Sequence, residues 1–336
     1  MAWPFAKNTN AQVYQTYGQS ERASPGSVHV GLDLKVEVGT PVYSPVTGYV
    51  AGYFDDGFSP NKKGLAIRTT HNDTYVFVKL LHLDLSSLQF GLGDYVQAGE
   101  LVGTVHPWPD SDYHSHLHIE LGVGALQANA TERDNKPGWR FLIPASPFVA
   151  KANPLMHLEV EPDTSPPVCR PLSDKGPFLF RQVTGAGNKW AIGSTALDPN
   201  NLTGQMDIAF AVADHYTSAD SPTLAPHELV LDIRSSGADG EIRLRRSLVF
   251  RGPLRTTAGS PESIYLTKND GKDSSHEKVQ DPGAFIYHFM GLNGEGGNTQ
   301  GPGPWSPDPG DYSITLRARD LASDLRVIAQ QEVTVK

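Results

Sequence analysis

One cysteine, Cys169, in a chain of 336 residues excludes an internal disulfide framework, so stability has to come from buried apolar surface. As the only thiol it reads as structural rather than catalytic. No stretch of 18 or more apolar residues exists, which rules out a hydrophobic helix that crosses a membrane. Positive charge is scarce as well. The 28 Lys and Arg face 37 Asp and Glu, a formal net charge of −9, whereas a nucleic-acid partner calls for a basic surface. No long amphipathic helical stripe is present. The opening Met1-Ala2-Trp3-Pro4-Phe5-Ala6-Lys7-Asn8 lacks the basic leader and apolar core of a signal peptide. What the chain does have is 33 Gly, 26 Pro and 38% hydrophobic residues, the composition of a loop-rich, strand-dominated globular protein long enough for two domains.

Strand-like runs fall at about residues 28–38, 42–54, 64–70, 74–83, 94–105 and 115–123, separated by Gly, Pro, Asn and Asp turns, which gives an all-β, antiparallel first domain. Two of these runs carry chemistry. In His29-Val30-Gly31-Leu32-Asp33 and in His114-Ser115-His116-Leu117-His118-Ile119-Glu120, metal-type side chains alternate with mostly apolar ones. His116 and His118 share a face about 6.6 Å apart, so one can bind a metal while the other faces the metal's water. His29 and Asp33 share a face across about 13 Å of extended chain, and Gly31 between them is the residue best able to bend. This pair is therefore expected on a kinked strand. A catalytic zinc takes three N or O ligands and leaves a fourth position to water, and two His with one Asp make such a set. Further histidines beside it then serve as proton-handling groups near neutral pH.

The segment from about His29 to Glu120 resembles the LytM or lysostaphin type of zinc metallopeptidase, the M23 family of peptidoglycan endopeptidases. The family's HxxxD, xxHL and HxHxE signatures are matched in order by His29-Val30-Gly31-Leu32-Asp33, Leu80-Leu81-His82-Leu83 and His116-Leu117-His118-Ile119-Glu120. Gly39-Thr40-Pro41-Val42-Tyr43 and Gly93-Asp94-Tyr95-Val96-Gln97-Ala98-Gly99 are family-like as well. The resemblance implies zinc (Zn2+) held by His29, Asp33 and His118, a catalytic pair His82 and His116, and Glu120 as a partner that orients a ligand. It implies cleavage of peptide cross-links in peptidoglycan and hence a secreted, periplasmic or envelope location. Two departures stand out. Leu80-Leu81 replaces the usual Tyr-Ala, and 106–115, with Trp108, Tyr113 and His114, replaces a Gly-rich stretch. Two function classes follow: an active endopeptidase, or a module that keeps the fold, binds the wall and does not cut. The retained ligand set favours the enzyme.

Other histidines have plainer readings. His71, beside Asn72 and Asp73, belongs to a hairpin turn. His106 reads as structural. For His114 both a place at the rim of the site and a place in surface or loop packing stay open. The loops 55–63 and 106–115 flank the motifs and are placed to shape the groove; whether Met1 to Val28 is an inhibitory segment stays open too. The organisation expected is a peptidase domain over 1–160, a linker over 161–167 and an accessory domain over 168–336. The last is expected to be an immunoglobulin-like β-sandwich, because Asp207-Ile208-Ala209-Phe210-Ala211-Val212 and Tyr312-Ser313-Ile314-Thr315-Leu316 alternate between turns. Such a fold specifies no function by itself, leaving a protein or glycan partner for this half.

Overall fold

The computed structural model describes residues 1–18, 29–54, 63–72, 74–108, 114–124, 133–136, 139–141, 150–159, 165–186, 189–215, 223–236, 240–250, 280–281, 284–289, 294–295, 303–320 and 323–336. The chain divides into two compact units, Met1–Tyr17 with Val30–Glu161 and Gly18–His29 with Pro162–Lys336. Among the described residues the regular elements are β-strands and short 3-10 turns, and no helix is long and apolar enough to cross a membrane. The fold is all-β with antiparallel sheets, as the alternation of the sequence predicts.

The first unit contains β1 (Gln12–Gln15), β2 (Leu32–Lys35), β3 (Pro41–Tyr43), β4 (Gly48–Phe54), β5 (Gly64–His71), β6 (Thr74–Leu81), β7 (Tyr95–Val96), β8 (Leu101–Thr104), β9 (His116–Gly124), β10 (Arg133–Lys136), β11 (Trp139–Phe141) and β12 (Ala150–Ala152). Its main sheet runs β1-β2-β9-β6-β5-β4-β11-β10, with β12 on β9 and β7 on β4; β3 and β8 form a separate pair. Period-two patterning sends one side chain of each strand inward and the next to the other face. Leu32 and Leu34 on β2, Leu117 and Ile119 on β9, Val78 and Leu80 on β6, and Leu65 and Ile67 on β5 are fully buried on the inward face. Burying each such side chain contributes roughly 1.5–3 kcal/mol. The same alternation leaves Asp33, His116, His118 and Glu120 on the opposite face.

Strand limits differ from the sequence reading where the turn chemistry intervenes. The run at 42–54 is two strands, β3 and β4, parted around Pro45, which has no N–H for a ladder. The run at 94–105 is β7 and β8, parted by a turn in which Gly99 takes φ +86° and the Gln97 N–H donates to Glu100 Oε2 at 2.7 Å. His71 ends β5, and Asn72 turns the chain into β6 with φ 47°. Phe58 and Tyr113, most of loops 55–63 and 106–115, most of the stretch from Gln127 to Lys136, and residues 19–28, 161–164, 291–293 and 296–302 lie outside the described residues.

The second unit contains β13 (Val168–Arg170), β14 (Phe178–Ala186), β15 (Lys189–Ala196), β16 (Met206–His215), β17 (Thr223–Leu224), β18 (Glu228–Ser235), β19 (Ile242–Val249), β20 (Gln280–Asp281), β21 (Ala284–His288), β22 (Gly294–Glu295), β23 (Gly310–Arg319) and β24 (Arg326–Val335). One sheet runs β15-β14-β16-β21-β20 with β13 and β17 on β16; the other runs β22-β19-β18-β23-β24. Among the described residues the ladders of this unit are antiparallel except that of β19 with β22. In β16 every residue but His215 is buried, so both faces of that strand are covered. Burial pushes the Cys169 thiol on β13 up to about 12, so it stays protonated at neutral pH and is inert as a nucleophile.

Ile119 sits mid-strand on the central β9 with no exposed surface. Ile119→Ala is expected to lower the unfolding free energy by about 2–5 kcal/mol, measured by denaturant titration of the variant beside the parent.

Candidate metal centre

β9 lies between β2 and β6, and the register of those two ladders assembles the site. Asp33 stands directly opposite His118, and Lys35 opposite His116. On the other side Leu81 faces His118 and Lys79 faces Glu120. His118 Nδ1 is 2.7 Å from Asp33 Oδ1, and His116 Nε2 is 3.8 Å from Asp33 Oδ2. Ligand-type atoms of His29, Asp33 and His118 all lie within 4.8 Å of one another. His29 and Asp33 are buried, at 1% and 5% exposure, and the His118 side chain is 12% exposed.

Gly31 makes this approach possible, though its role differs from the one its position suggests. The strand begins only at Leu32, and His29 precedes it in irregular chain whose carbonyl accepts from the Gly18 N–H at 2.7 Å. The His29–Asp33 gap is thus closed by leaving the extended conformation, not by kinking a strand. A Cβ on Gly31 would stand 2.6 Å from His118 Cε1, 2.7 Å from His118 Nε2 and 2.5 Å from the Ile119 carbonyl oxygen. The imidazole occupies the space that any other residue would fill.

Two imidazoles and a carboxylate at this spacing fit zinc in chemistry and in size. Ligand atoms about 2.0–2.2 Å from a tetrahedral ion lie about 3.4 Å from each other. Burial works against a charged His118, but the charge and hydrogen bond of Asp33, followed by those of Glu120, outweigh it and push the imidazole up to about 10. The pocket thus favours positive charge beside the Asp33 carboxylate. Glu120 ties this arrangement to the sheet: Oε1 is 3.5 Å from His118 Nε2, and Oε2 accepts from Lys79 Nζ at 3.0 Å. The side chains of Lys79 and Glu120 are each 11% exposed, so the pair is held in a place where either charge alone is expensive.

The other two histidines of the motifs adjoin this cluster. The His82 ring lies 4.6 Å from that of His116 and 5.7 Å from that of His118, centre to centre. His82 follows β6 with φ 66°, a left-handed backbone uncommon for a residue with a side chain. Such a conformation costs of order 1–3 kcal/mol and is typical of functional positions. Trp108 bridges the two rings, 4.8 Å from His82 and 4.7 Å from His116. His116 Nδ1 lies 2.7 Å from the His114 carbonyl oxygen. A carbonyl only accepts, so the proton is on Nδ1 and the lone pair of the neutral ring is on Nε2, on the side of Asp33.

His114 lies outside β9 and is exposed; its backbone orients His116, and its ring meets Tyr14 edge to face at 5.8 Å. His71 ends its hairpin strand away from these groups, and His106 donates its backbone N–H to the His82 carbonyl at 2.8 Å. All five motif residues thus come together. Sequence reasoning missed Lys79 and Tyr14. Lys79 carries one signal, a lone cation inside the apolar run Val76-Phe77-Val78-Lys79-Leu80-Leu81, a position that survives burial only when paired. Tyr14 carries none that its neighbours lack.

Residues 27–130 match the model of peptidase family M23. Lysostaphin of Staphylococcus staphylolyticus is 31% identical over 124 residues, 36% of this chain and 24% of that protein; lysostaphin of Staphylococcus simulans is 31% identical over 124 residues, 36% of this chain and 23% of that protein. The chain thus spans about a quarter of the length of these relatives. Among solved structures, LytU is 23% identical with a TM-score of 0.29, covering 36% of this chain and 80% of that one. The catalytic domain of the antimicrobial peptidase lysostaphin from Staphylococcus simulans is 22% identical with a TM-score of 0.28, covering 36% and 84%. Residues 27–130 are thus similar to M23 peptidase domains.

Gly31→Ala is expected to reduce zinc affinity about 10–100-fold by displacing the His118 ring, the range seen when groups supporting a ligand are changed. Competition against a chelating dye measures it, with circular dichroism as the check that the sheet persists.

Proposed function

We propose that residues 1–160 form a zinc-dependent endopeptidase domain that hydrolyses peptide cross-links of bacterial peptidoglycan, with His29, Asp33 and His118 as metal ligands and His82 and His116 as the catalytic pair. One observation carries the reading: three ligand-type side chains meet within 4.8 Å, with two further imidazole rings packed against them. The peptidase class rests on the family match of residues 27–130. The wall polymer as substrate rests on the motif resemblance, and a wall substrate supports a location outside the cytoplasm, secreted, periplasmic or bound to the envelope. The domain plan 1–160, 161–167 and 168–336 belongs to the same reading, with the last part an accessory module for a protein or glycan partner.

Zinc, when bound, supplies the positive charge that polarises a peptide carbonyl and makes a water acidic near neutral pH. His116 would take a proton at Nε2, because the His114 carbonyl holds the other ring proton at Nδ1. Its Nε2 is 3.8 Å from Asp33 Oδ2, beside the ligand cluster, where the proton arises. His82 faces the same space from the opposite strand end and donates an N–H to the carbonyl oxygen as that oxygen gains negative charge. The proton on His116 Nε2 then passes to the departing amine. Trp108, against both rings, keeps water from crowding them and fixes their mutual angle. Glu120, held by Lys79, orients His118.

His116→Ala is expected to leave zinc content unchanged while cleavage falls by about two orders of magnitude or more. The measurement pairs metal analysis with release of soluble fragments from purified cell walls. Bound zinc with no cleavage of any wall type by the parent protein overturns the enzyme reading in favour of a binding module. His82→Gly separates strain from chemistry: glycine accepts φ 66° freely, so thermal stability is expected to hold or rise while turnover drops. A fall in both argues that the ring is structural.

A further inference from the structure

The face of the main sheet that presents the metal centre continues toward its far edge, and there it carries a row of side chains that the proposed chemistry leaves unused. His118, Glu120 and Gly122 follow one another on one face of β9. Gly122 stands opposite Phe77 on β6, Phe77 opposite Arg68 on β5, Arg68 opposite Tyr49 on β4, and Tyr49 opposite Tyr95 on β7. Directly opposed residues in antiparallel ladders share a face, so Arg68, Tyr49 and Tyr95 look the same way as His118. Tyr49 and Tyr95 are 48% and 52% exposed, with their rings 5.2 Å apart edge to face. The Arg68 guanidinium lies 4.7 Å from the centre of the Tyr75 ring and 6.0 Å from that of Tyr49.

Arg68 is the instructive member. Among the described residues no carboxylate pairs with it, although Asp and Glu outnumber Lys and Arg by 37 to 28 in the chain. Its contacts are tyrosine rings, which attract the cation without using up its N–H donors and so leave them available to a bidentate anion. The half-exposed rings beside it offer flat apolar surfaces edged by hydroxyls, the kind on which the C–H faces of sugar rings stack. Four residues along β9 and two strand spacings place Arg68 about 16 Å from His118, the reach of about five extended residues, with Tyr49 and Tyr95 one and two strand spacings further out.

We propose that Tyr95, Tyr49, Arg68 and Tyr75 form an anchoring site for the wall polymer, with a sugar ring on the two exposed tyrosines and a carboxylate of the attached peptide on Arg68. The inference rests on the peptidoglycan reading of the metal centre. It adds a second point of attachment that holds the polymer while a neighbouring peptide enters the site, so it governs binding to the polymer and leaves the chemical step alone.

The test uses the full chain carrying His116→Ala, so that binding is read without cleavage and stays measurable if the parent protein cuts nothing. Co-sedimentation is run with purified walls and with the same walls after their carboxylates are converted to amides. Arg68→Ala is expected to weaken binding to untreated walls about tenfold and to make binding indifferent to amidation. Tyr49→Ser with Tyr95→Ser is expected to weaken binding to both wall preparations, and these half-exposed positions guard against loss of fold at Arg68. In the active background, cleavage of a short cross-linked peptide without sugar is expected to keep its kcat in both variants. Equal binding by the parent, Arg68→Ala and the tyrosine variant, or an Arg68→Ala protein that still senses amidation as the parent does, overturns the anchoring site. Wall binding that depends on Arg68 with no cleavage by the active chain overturns the peptidase reading instead.

Discussion

A carboxylate kept out of water is the constraint from which the rest of the site follows. Asp33 is 5% exposed on a strand whose other face is core, and a buried negative charge persists only with positive charge or strong donors against it. The sheet answers by setting His118 directly opposite, with His116 one alternate position away and His29 arriving from the irregular chain. Each of these imidazoles is held by something further out. Glu120 and Lys79 stand behind His118, the His114 carbonyl behind His116, and Trp108 between His116 and His82. Strands thus hold Asp33 and His118 in place, while His116 and His82 stand at strand ends and His29 comes in from irregular chain.

That division explains the distribution of strain and close approach. The two backbone oddities near the centre, the missing Cβ at Gly31 and the left-handed His82, both lie where a strand begins or ends. Within β9 itself the backbone is regular, and function is obtained by alternation alone. The inward residues Leu117 and Ile119 fix the register, and a slip of one residue would send His116, His118 and Glu120 into the core.

Much of this was legible before any coordinates. Period-two patterning located the strands of the first unit, and the order of His29, Asp33, His82, His116 and His118 located the centre, because metal ligation demands particular side chains and the alternation says which way they point. Legibility failed where the backbone rather than the side chain decides. Nothing in His29-Val30-Gly31-Leu32-Asp33 distinguishes a kinked strand from irregular chain entering one, and the need for glycine at Gly31 comes from the ring of His118 and the carbonyl of Ile119, 87 and 88 positions further along the chain. Tyr14 and Lys79 were silent for the same reason: their neighbours come from remote parts of the chain. In the second unit the two-sheet class followed from many short alternating runs, but the strand orders did not, since pairing partners in a sheet are chosen by long-range packing.

Cys169 is the one thiol of the chain, and its surroundings set its reactivity. Burial pushes its thiol up and keeps it protonated at neutral pH, and only the thiolate attacks another sulfur. Oxidants and foreign disulfides therefore find little to react with. A chain with one such thiol has little means of coupling covalently to its neighbours through sulfur.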